Sequence, residues 1–427
     1  MRIGIIFSGK IENIDYTTVD QANPGLGGTH YTQILLSLYL SMSQNIEVFL
    51  FTNRKEKLPP SIINIVADDD DIFDVASKMG LNILIFSAAS AKKKDFCNKL
   101  DKTDLVSIAW SKNLLDYKTL QNLRNCRQIK RVVFTSRQHY DYYFDDEIIN
   151  KSTYIYNIVP HRKAEEETPD TERKIVTFIG ALIPAKGFHI LAREWKKILE
   201  AVPNAHLFVI GSGSLYEAPK KLGKLKLSEE NYEKRFAKFI TDKKGVLLES
   251  VKFYGILGNQ KTEIIKKTCV GIANLSSVFE TFCIVAVEFQ QYGIPVISFR
   301  RGGLLDTVVN NKSGILIKSK KELRDSIIRL LKDDKLNESL GKNAILYSQE
   351  FDPERIVPQW LDLISDVHNQ EAAPNMFSYT FIWNDLKWLR LLNKFLKCKL
   401  KLSFFPSIAS IERLLKLIFK SIIGKAE

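Results

Sequence analysis

The stretch Ser276-Ser-Val-Phe-Glu280-Thr-Phe-Cys283-Ile-Val-Ala-Val-Glu288-Phe-Gln-Gln-Tyr-Gly293-Ile-Pro-Val-Ile-Ser298 decides how this chain reads. Its centre is an apolar run that predicts a helix over Thr281–Tyr292. A Gly-x-Pro turn follows, and Pro295–Phe299 predicts a buried strand. Glu280 stands at the mouth of the helix and Glu288 inside it, with seven residues between them. That separation is about 2.2 helical turns, which brings both carboxylates to roughly one face. A carboxylate just ahead of a helix can reach a ligand held over the N-terminus, where backbone N–H groups and the helix dipole also favour a diphosphate. Glu288, two turns deeper, can accept hydrogen bonds from a pair of ligand hydroxyls. The plainer alternatives are a solvent-facing helix glutamate at 288 and a charge stabilising the helix N-terminus at 280. Val285, Ala286, Val287 and Phe289 make solvent exposure of Glu288 an uncomfortable fit.

Outward from this stretch, apolar strands alternate with helices. In the first part, Arg2–Phe7, Ile46–Thr52, Leu81–Phe86, Leu105–Trp110 and Arg131–Ser136 read as strands, with helices at Thr29–Met42 and Leu114–Asn125. The pattern restarts with strands at Lys174–Ile179, His206–Gly211 and Val270–Asn274 and a helix at Phe188–Val202. Helices at Glu322–Leu331 and Pro353–Val367 close it. Near-continuous apolar strands separated by helices predict parallel sheets covered on both faces, so the class is α/β with two doubly wound, Rossmann-like domains facing across a cleft. Ligands in such folds sit beyond the carboxyl ends of the strands. The expected boundaries are a first domain over 1–165, a second over 172–352, a closing helix over 353–370 and a tail over 374–427. Charged, Pro-containing Glu165–Glu172 suits a linker, and Leu215–Val251 is a Lys/Glu-rich insertion.

The bulk properties are those of a globular chain of 427 residues. Five scattered cysteines lack metal-ligand or redox spacing, which predicts reduced thiols in a cytoplasm. The Ile3–Phe7 run is too short for a signal peptide, and no apolar stretch is long enough to span a bilayer. The net charge of +13 is uneven: residues 374–427 hold ten Lys and Arg against three Asp and Glu. Their aromatic, amphipathic pattern over Phe381–Leu400 and Ile411–Ile423 suits an anionic membrane surface, or alternatively packing on the chain's own domains. Nucleic acid is the least favoured partner. The acidic run Asp68–Asp71 reads as a solvated turn, so no metal site is expected.

Several motifs stand in a fixed order: Pro24-Gly-Leu-Gly27-Gly28-Thr-His before the first long helix, Tyr154-Ile-Tyr-Asn157-Ile-Val-Pro160, Phe178-Ile-Gly180-Ala-Leu-Ile-Pro-Ala-Lys186-Gly187, Val209-Ile-Gly211-Ser-Gly213, Phe253-Tyr-Gly255, and Gly302-Gly303-Leu-Leu-Asp306-Thr-Val. Gly211-Ser-Gly213 lacks a third glycine at dinucleotide spacing and is read as a turn. Together with Glu280 and Glu288 the set, covering residues 1 to about 367, resembles the retaining glycosyltransferases of family 4 and their E-x7-E motif. The resemblance implies a GT-B fold and transfer of a sugar from a nucleotide-diphosphate sugar, the co-substrate, to a glycan or lipid-linked hydroxyl acceptor, with no metal or other cofactor.

It implies Lys186 and Glu280 as catalytic residues. Gly27, Gly28, Lys186, Glu280, Thr281, Phe282, Cys283 and Glu288 would bind the donor, Glu288 through ribose hydroxyls. Glycines at 27 and 28 let a backbone approach a phosphate or sugar closely; their plainer reading is a tight turn, and that of Lys186 a surface lysine at a helix start. The chain departs from the pattern at Ala181, where the family often has an arginine beside the diphosphate. Arg137, Arg300 and Arg301 are candidate substitutes. It departs again at Cys283, where a glycine is usual, and after the fourth predicted strand, where no histidine stands in Leu105–Lys112. His30 and His139 are weak candidates for the base. A role in cell-envelope polysaccharide or glycolipid synthesis, on the cytoplasmic face of the membrane, is the expectation. The competing classes are a nucleotide-sugar epimerase or phosphorylase of the same fold, and a catalytically degenerate binding subunit.

Overall fold

A computed structural model describes residues 1–7, 14–21, 23–161, 174–213, 221–276, 278–373, 386–400 and 405–423. The expected linker 165–172 and the first part of the expected tail helix, 381–385, lie outside them. The chain divides into two compact units. One comprises residues 1–17, 36–156 and 357–427, the other 18–35 and 157–356.

The first unit is built on a seven-stranded sheet of β1 (Arg2–Ile6), β2 (Glu47–Thr52), β3 (Ile62–Val66), β4 (Ile83–Ser87), β5 (Ser107–Ser111), β6 (Ile129–Phe134) and β7 (Ser152–Tyr154), in the order β3-β2-β1-β4-β5-β6-β7. Every pairing is parallel. Consecutive buried runs such as Val48, Phe49, Leu50 and Phe51, or Ile83, Leu84, Ile85 and Phe86, explain this, because a sheet covered on both faces needs apolar residues at successive positions. Two strands escape the sequence reading: β3, whose Ile63 and Val66 are exposed at the sheet edge, and the three-residue β7. Trp360, from the Pro353–His368 helix, packs edge-on against Trp110 of β5 with ring centroids 5.0 Å apart.

The second unit holds a six-stranded parallel sheet of β8 (Lys174–Ile179), β9 (Ala205–Ile210), β10 (Val251–Gly255), β11 (Val270–Ile272), β12 (Val296–Phe299) and β13 (Gly314–Ile317), in the order β10-β9-β8-β11-β12-β13. The order runs outward in both directions from β8, so β8 and β11 flank a topological switch point. The core centres on Phe178, Phe188, Leu191, Trp195 and Val209, under the Phe188–Ala201 helix. Gln291, fully buried, donates its amide to the carbonyls of Val159 and Pro160 and so ties the start of this unit to the Ile284–Gln291 helix.

The tail forms two helices, Lys387–Leu400 and Ile408–Ile423, and belongs to the first unit. The buried Asp145 carboxylate accepts from Asn393 Nδ2 and from the Ile408 backbone N–H, each at 2.6 Å, and Arg390 Nη1 stands 3.5 Å away. Arg390 also donates to the Tyr142 carbonyl at 2.7 Å, and Arg413 to the Leu114 carbonyl at 2.6 Å. The tail thus docks through polar groups. Removing Asp145 leaves Arg390 and Asn393 buried with lost partners, which costs about 3–5 kcal/mol for a buried ionic contact. Asp145→Ala is expected to raise amide hydrogen exchange selectively across 387–400, with the β1–β4 strands unchanged; unaltered protection of the tail would refute the anchor.

Candidate functional site

The site grows from backbone that crowds together at the carboxyl ends of β8, β9, β11 and β12. After β8, Gly180 hydrogen-bonds to Ile210 at the end of β9. Gly211 has φ +132°, and a Cβ there would collide with the Gly180 carbonyl. Gly187, at φ +78°, begins the Phe188–Ala201 helix, and a Cβ on it would stand 2.5 Å from the Leu275 carbonyl carbon. Gly303 leaves the same 2.5 Å to the Thr281 carbonyl. These glycines let the 180–187 turn, the 274–283 loop and the 300–303 loop pack main chain on main chain.

Side chains stitch the same loops. Ser276 Oγ donates to the Ala185 carbonyl at 2.6 Å, and Leu275 N–H to the Lys186 carbonyl at 3.1 Å. The Lys186 ammonium donates to Glu280 Oε2 at 2.7 Å, and Asn274 Nδ2 to the same oxygen at 2.6 Å. Lys186 and Glu280 are therefore brought together as an ion pair, with the Lys186 side chain only partly exposed. Burial disfavours the Glu280 charge. The Lys186 ammonium, its hydrogen bond and the Asn274 amide outweigh that burial and hold the carboxyl below its ordinary value.

Glu288 sits in a different setting. Its Oε1 accepts from Lys261 Nζ at 2.6 Å, and both side chains are almost wholly buried. Lys261 opens the short Lys261–Lys266 helix. The sequence reading missed it because it is one of several lysines in Lys252–Lys267, with nothing local to single it out. Glu280 precedes the helix and Glu288 lies inside it, as expected, but the helix begins three residues later than the predicted Thr281. The helix runs Ile284–Gln291, so Glu280, Thr281 and Phe282 precede it. Cys283, at its N-cap, takes φ +77°, a left-handed conformation that delays the first turn and that an L side chain adopts at a cost of about 1–2 kcal/mol. Burial pushes the Cys283 thiol up to about 12, with Glu280 adding to it. Phe282 is buried, its ring edge-on to Phe351 at 5.2 Å.

Gly27 and Gly28 open the Gly28–Ser41 helix, the Gly27 carbonyl accepting from His30 and Tyr31. They fall within the 18–35 stretch that clusters with the second sheet, and a Cβ on Gly28 would meet Ile284 Cδ1 at 3.3 Å. Of the candidate substitute cations, Arg300 and Arg301 follow β12 and adjoin Gly302, whose own Cβ would strike the Glu280 carbonyl. Arg137 belongs to the first unit, where it pairs with Asp141 at 3.0 Å. His139 is a core histidine hydrogen-bonded to Thr135 Oγ1, and burial pushes it down to about 3. Asp68–Asp71 form an exposed turn.

Comparisons with known proteins bear on this geometry. Both sheets and their order are those of the GT-B glycosyltransferase fold. HepE of Anabaena, solved in complex with UDP-glucose, superposes with a TM-score of 0.62 at 17% identity, covering 85% of this chain and 99% of that one. Residues 161–347, which hold Lys186, Glu280 and Glu288, match the family model "Glycosyl transferases group 1". A D-inositol 3-phosphate glycosyltransferase of Corynebacterium urealyticum is 27% identical over 48% of this chain and 50% of its own length. The capsular polysaccharide biosynthesis glycosyltransferase CapM of Staphylococcus aureus is 24% identical over 52% of this chain and 47% of its own. The chain thus spans about half the length of these curated relatives.

Two outcomes test the electrostatics. Lys261→Met strands a buried carboxylate and is expected to cost about 3–5 kcal/mol in denaturant unfolding, with much of it restored in the Lys261→Met/Glu288→Leu double variant. Full additivity would dissolve the pair. Because the folded state holds Glu280 below its ordinary value of 4.5, its contribution is present above that pH and lost as acid protonates it. Glu280→Gln is expected to flatten the acid limb of the stability profile; an unchanged limb would assign that limb to other carboxyls.

Proposed function

We propose that the chain is a retaining, metal-independent glycosyltransferase of the family 4 type. It would move a hexosyl-type sugar from a nucleotide-diphosphate sugar to a hydroxyl of a glycan or lipid-linked acceptor, in cell-envelope polysaccharide or glycolipid synthesis. The observation that carries this reading is the Glu280 carboxylate held by Lys186 and Asn274 where four parallel strands end, inside the segment that matches group 1 glycosyl transferases. UDP-glucose bound by a protein of the same fold supports a nucleotide-sugar donor, and a capsular polysaccharide relative supports an envelope acceptor.

Lys186 carries a fixed ammonium one residue before Gly187 and the Phe188–Ala201 helix. A helix N-terminus and a lysine at one point favour a diphosphate, and Glu280 and Asn274 hold the lysine's position before the ligand arrives. As the bond from the sugar anomeric carbon to the diphosphate oxygen breaks, Lys186 opposes the charge that builds on the leaving group. Interactions of this kind are worth about 3–4 kcal/mol each. The acceptor hydroxyl attacks from the leaving-group face, its oxygen bonds to the anomeric carbon, and the diphosphate takes its proton. Glu288, fixed through one oxygen by Lys261, takes the ribose hydroxyls. Gly27, Gly28, Thr281, Phe282 and Cys283 complete the donor site. The work is done at the inner face of the membrane, to which the basic tail attaches the protein.

Lys186→Ala is expected to lower turnover about a hundredfold or more, and unchanged turnover would remove the role. Thermal unfolding with UDP, GDP, ADP, dTDP and CMP is expected to show stabilisation by one nucleoside diphosphate. At a hundred times its Kd the gain is about 2.7 kcal/mol, and it should be lost in Glu288→Gln. Absence of any shift in folded protein would favour a degenerate binding subunit.

A further inference from the structure

The two tail helices are docked inside out. On Lys387–Leu400, Arg390 and Asn393 are buried against the first unit and Lys397 donates to the Asp145 carbonyl at 2.8 Å. At about 100° per residue these three fall within one arc of about 60°. Trp388, Leu392 and Phe395 fall in the diametrically opposite arc and are exposed, Trp388 to 78%. The Ile408–Ile423 helix repeats the arrangement. Among its described side chains, the buried Ala409 and Ser410 lie at the docking end, and Ile411, Leu414, Leu415 and Ile418 form an exposed stripe at i, i+3, i+4 and i+7. A globular helix ordinarily buries the stripe and leaves the charges in water.

We infer that these two helices are a preformed lipid-docking surface, which inserts the Trp388/Leu392/Phe395 and Ile411/Leu414/Leu415/Ile418 stripes into the interface of an anionic membrane. The inference deepens the membrane attachment proposed above and rests on it, naming the surface and the unit that bears it. Charge selects the occupant. Setting aside Arg390, Lys397, Arg413 and Glu412, which hydrogen-bond to the first unit, the segment 374–427 still holds seven Lys and Arg against two Asp and Glu, so a second copy laid on the same face would bring two positive tails together. An anionic bilayer attracts each basic residue near its surface by about 1 kcal/mol, and it accepts Trp, Phe and Leu at headgroup depth. Exposed Lys399 lies in the same arc as the apolar stripe. Docking through Asp145, Arg390 and Asn393 fixes both stripes on the first unit before any lipid is met, which spares the ordering cost that a disordered tail would bear.

The test is co-sedimentation of the full chain with phosphatidylcholine vesicles, with and without phosphatidylglycerol, at low and high salt. Binding is expected only with phosphatidylglycerol and is expected to weaken in salt. Leu392→Glu/Phe395→Glu is expected to reduce it about tenfold or more, and Lys399→Glu by about fivefold or more. These positions are exposed, so unfolding temperature and nucleotide-induced shifts should stay at their parental values, and both are measured alongside. Binding to anionic vesicles retained in the double variant would overturn this surface while leaving membrane attachment standing. No binding by the parental chain would overturn both. Self-association of the parental chain that the double variant abolishes, without vesicle binding, would overturn the lipid assignment in favour of a second copy.

Discussion

One carboxylate organises the second unit's working end. Glu280 is not part of a helix and has no ladder to hold it, yet it collects the Lys186 ammonium and the Asn274 amide on a single oxygen. Those two donors come from the turn after β8 and the loop after β11, which flank the switch point of the sheet. The contact can form only because the surrounding main chain closes to near van der Waals limits at Gly187, Gly302 and Gly303. Packing without Cβ atoms and charge pairing are thus one device. The glycines bring the loops together, and the ion pair holds them in register while leaving a partly exposed ammonium at a helix start.

The second carboxylate follows a different logic. Glu288 lies in the buried face of its helix, where an unpaired charge would be prohibitive, and Lys261 neutralises it from a neighbouring short helix. Such a pair adds little net stability compared with apolar side chains of similar volume. It does fix where a carboxylate oxygen points. The same arrangement appears in the tail, where Asp145 serves as a buried acceptor for an amide, a backbone N–H and an arginine from two separate helices.

Much of the architecture is legible in the sequence because the strands are buried on both faces. The apolar run Lys174–Ile179 has the same bounds in the sequence and in the sheet, and the strands and helices around it agree to within a few residues. The strands that escape a sequence reading are short or at the edge. The missed strands β3, β7, β10 and β13 are the four sheet edges and run only three to five residues, too short for periodicity to register, and pairing with a neighbour supplies the signal that the local sequence lacks. The helix after Glu280 starts later than the sequence predicts because Thr281 and Phe282 carry no residue that would stop a helix. The left-handed turn at Cys283 is imposed by packing of the loop, not by a residue that prefers it.

By itself the sequence determined a doubly repeated parallel α/β chain with Lys186 ahead of a helix and carboxylates at 280 and 288, because apolar periodicity, glycine placement and charge are local properties. Tertiary structure alone decided that Lys186 pairs with Glu280 and Lys261 with Glu288, partners 94 and 27 positions apart. It also decided which face of the tail turns inward. An amphipathic helix announces two faces and is silent about which one its surroundings will take. Here a buried acceptor at Asp145 prevailed over the apolar stripe, because an arginine and an asparagine could satisfy that carboxylate and leucine could not.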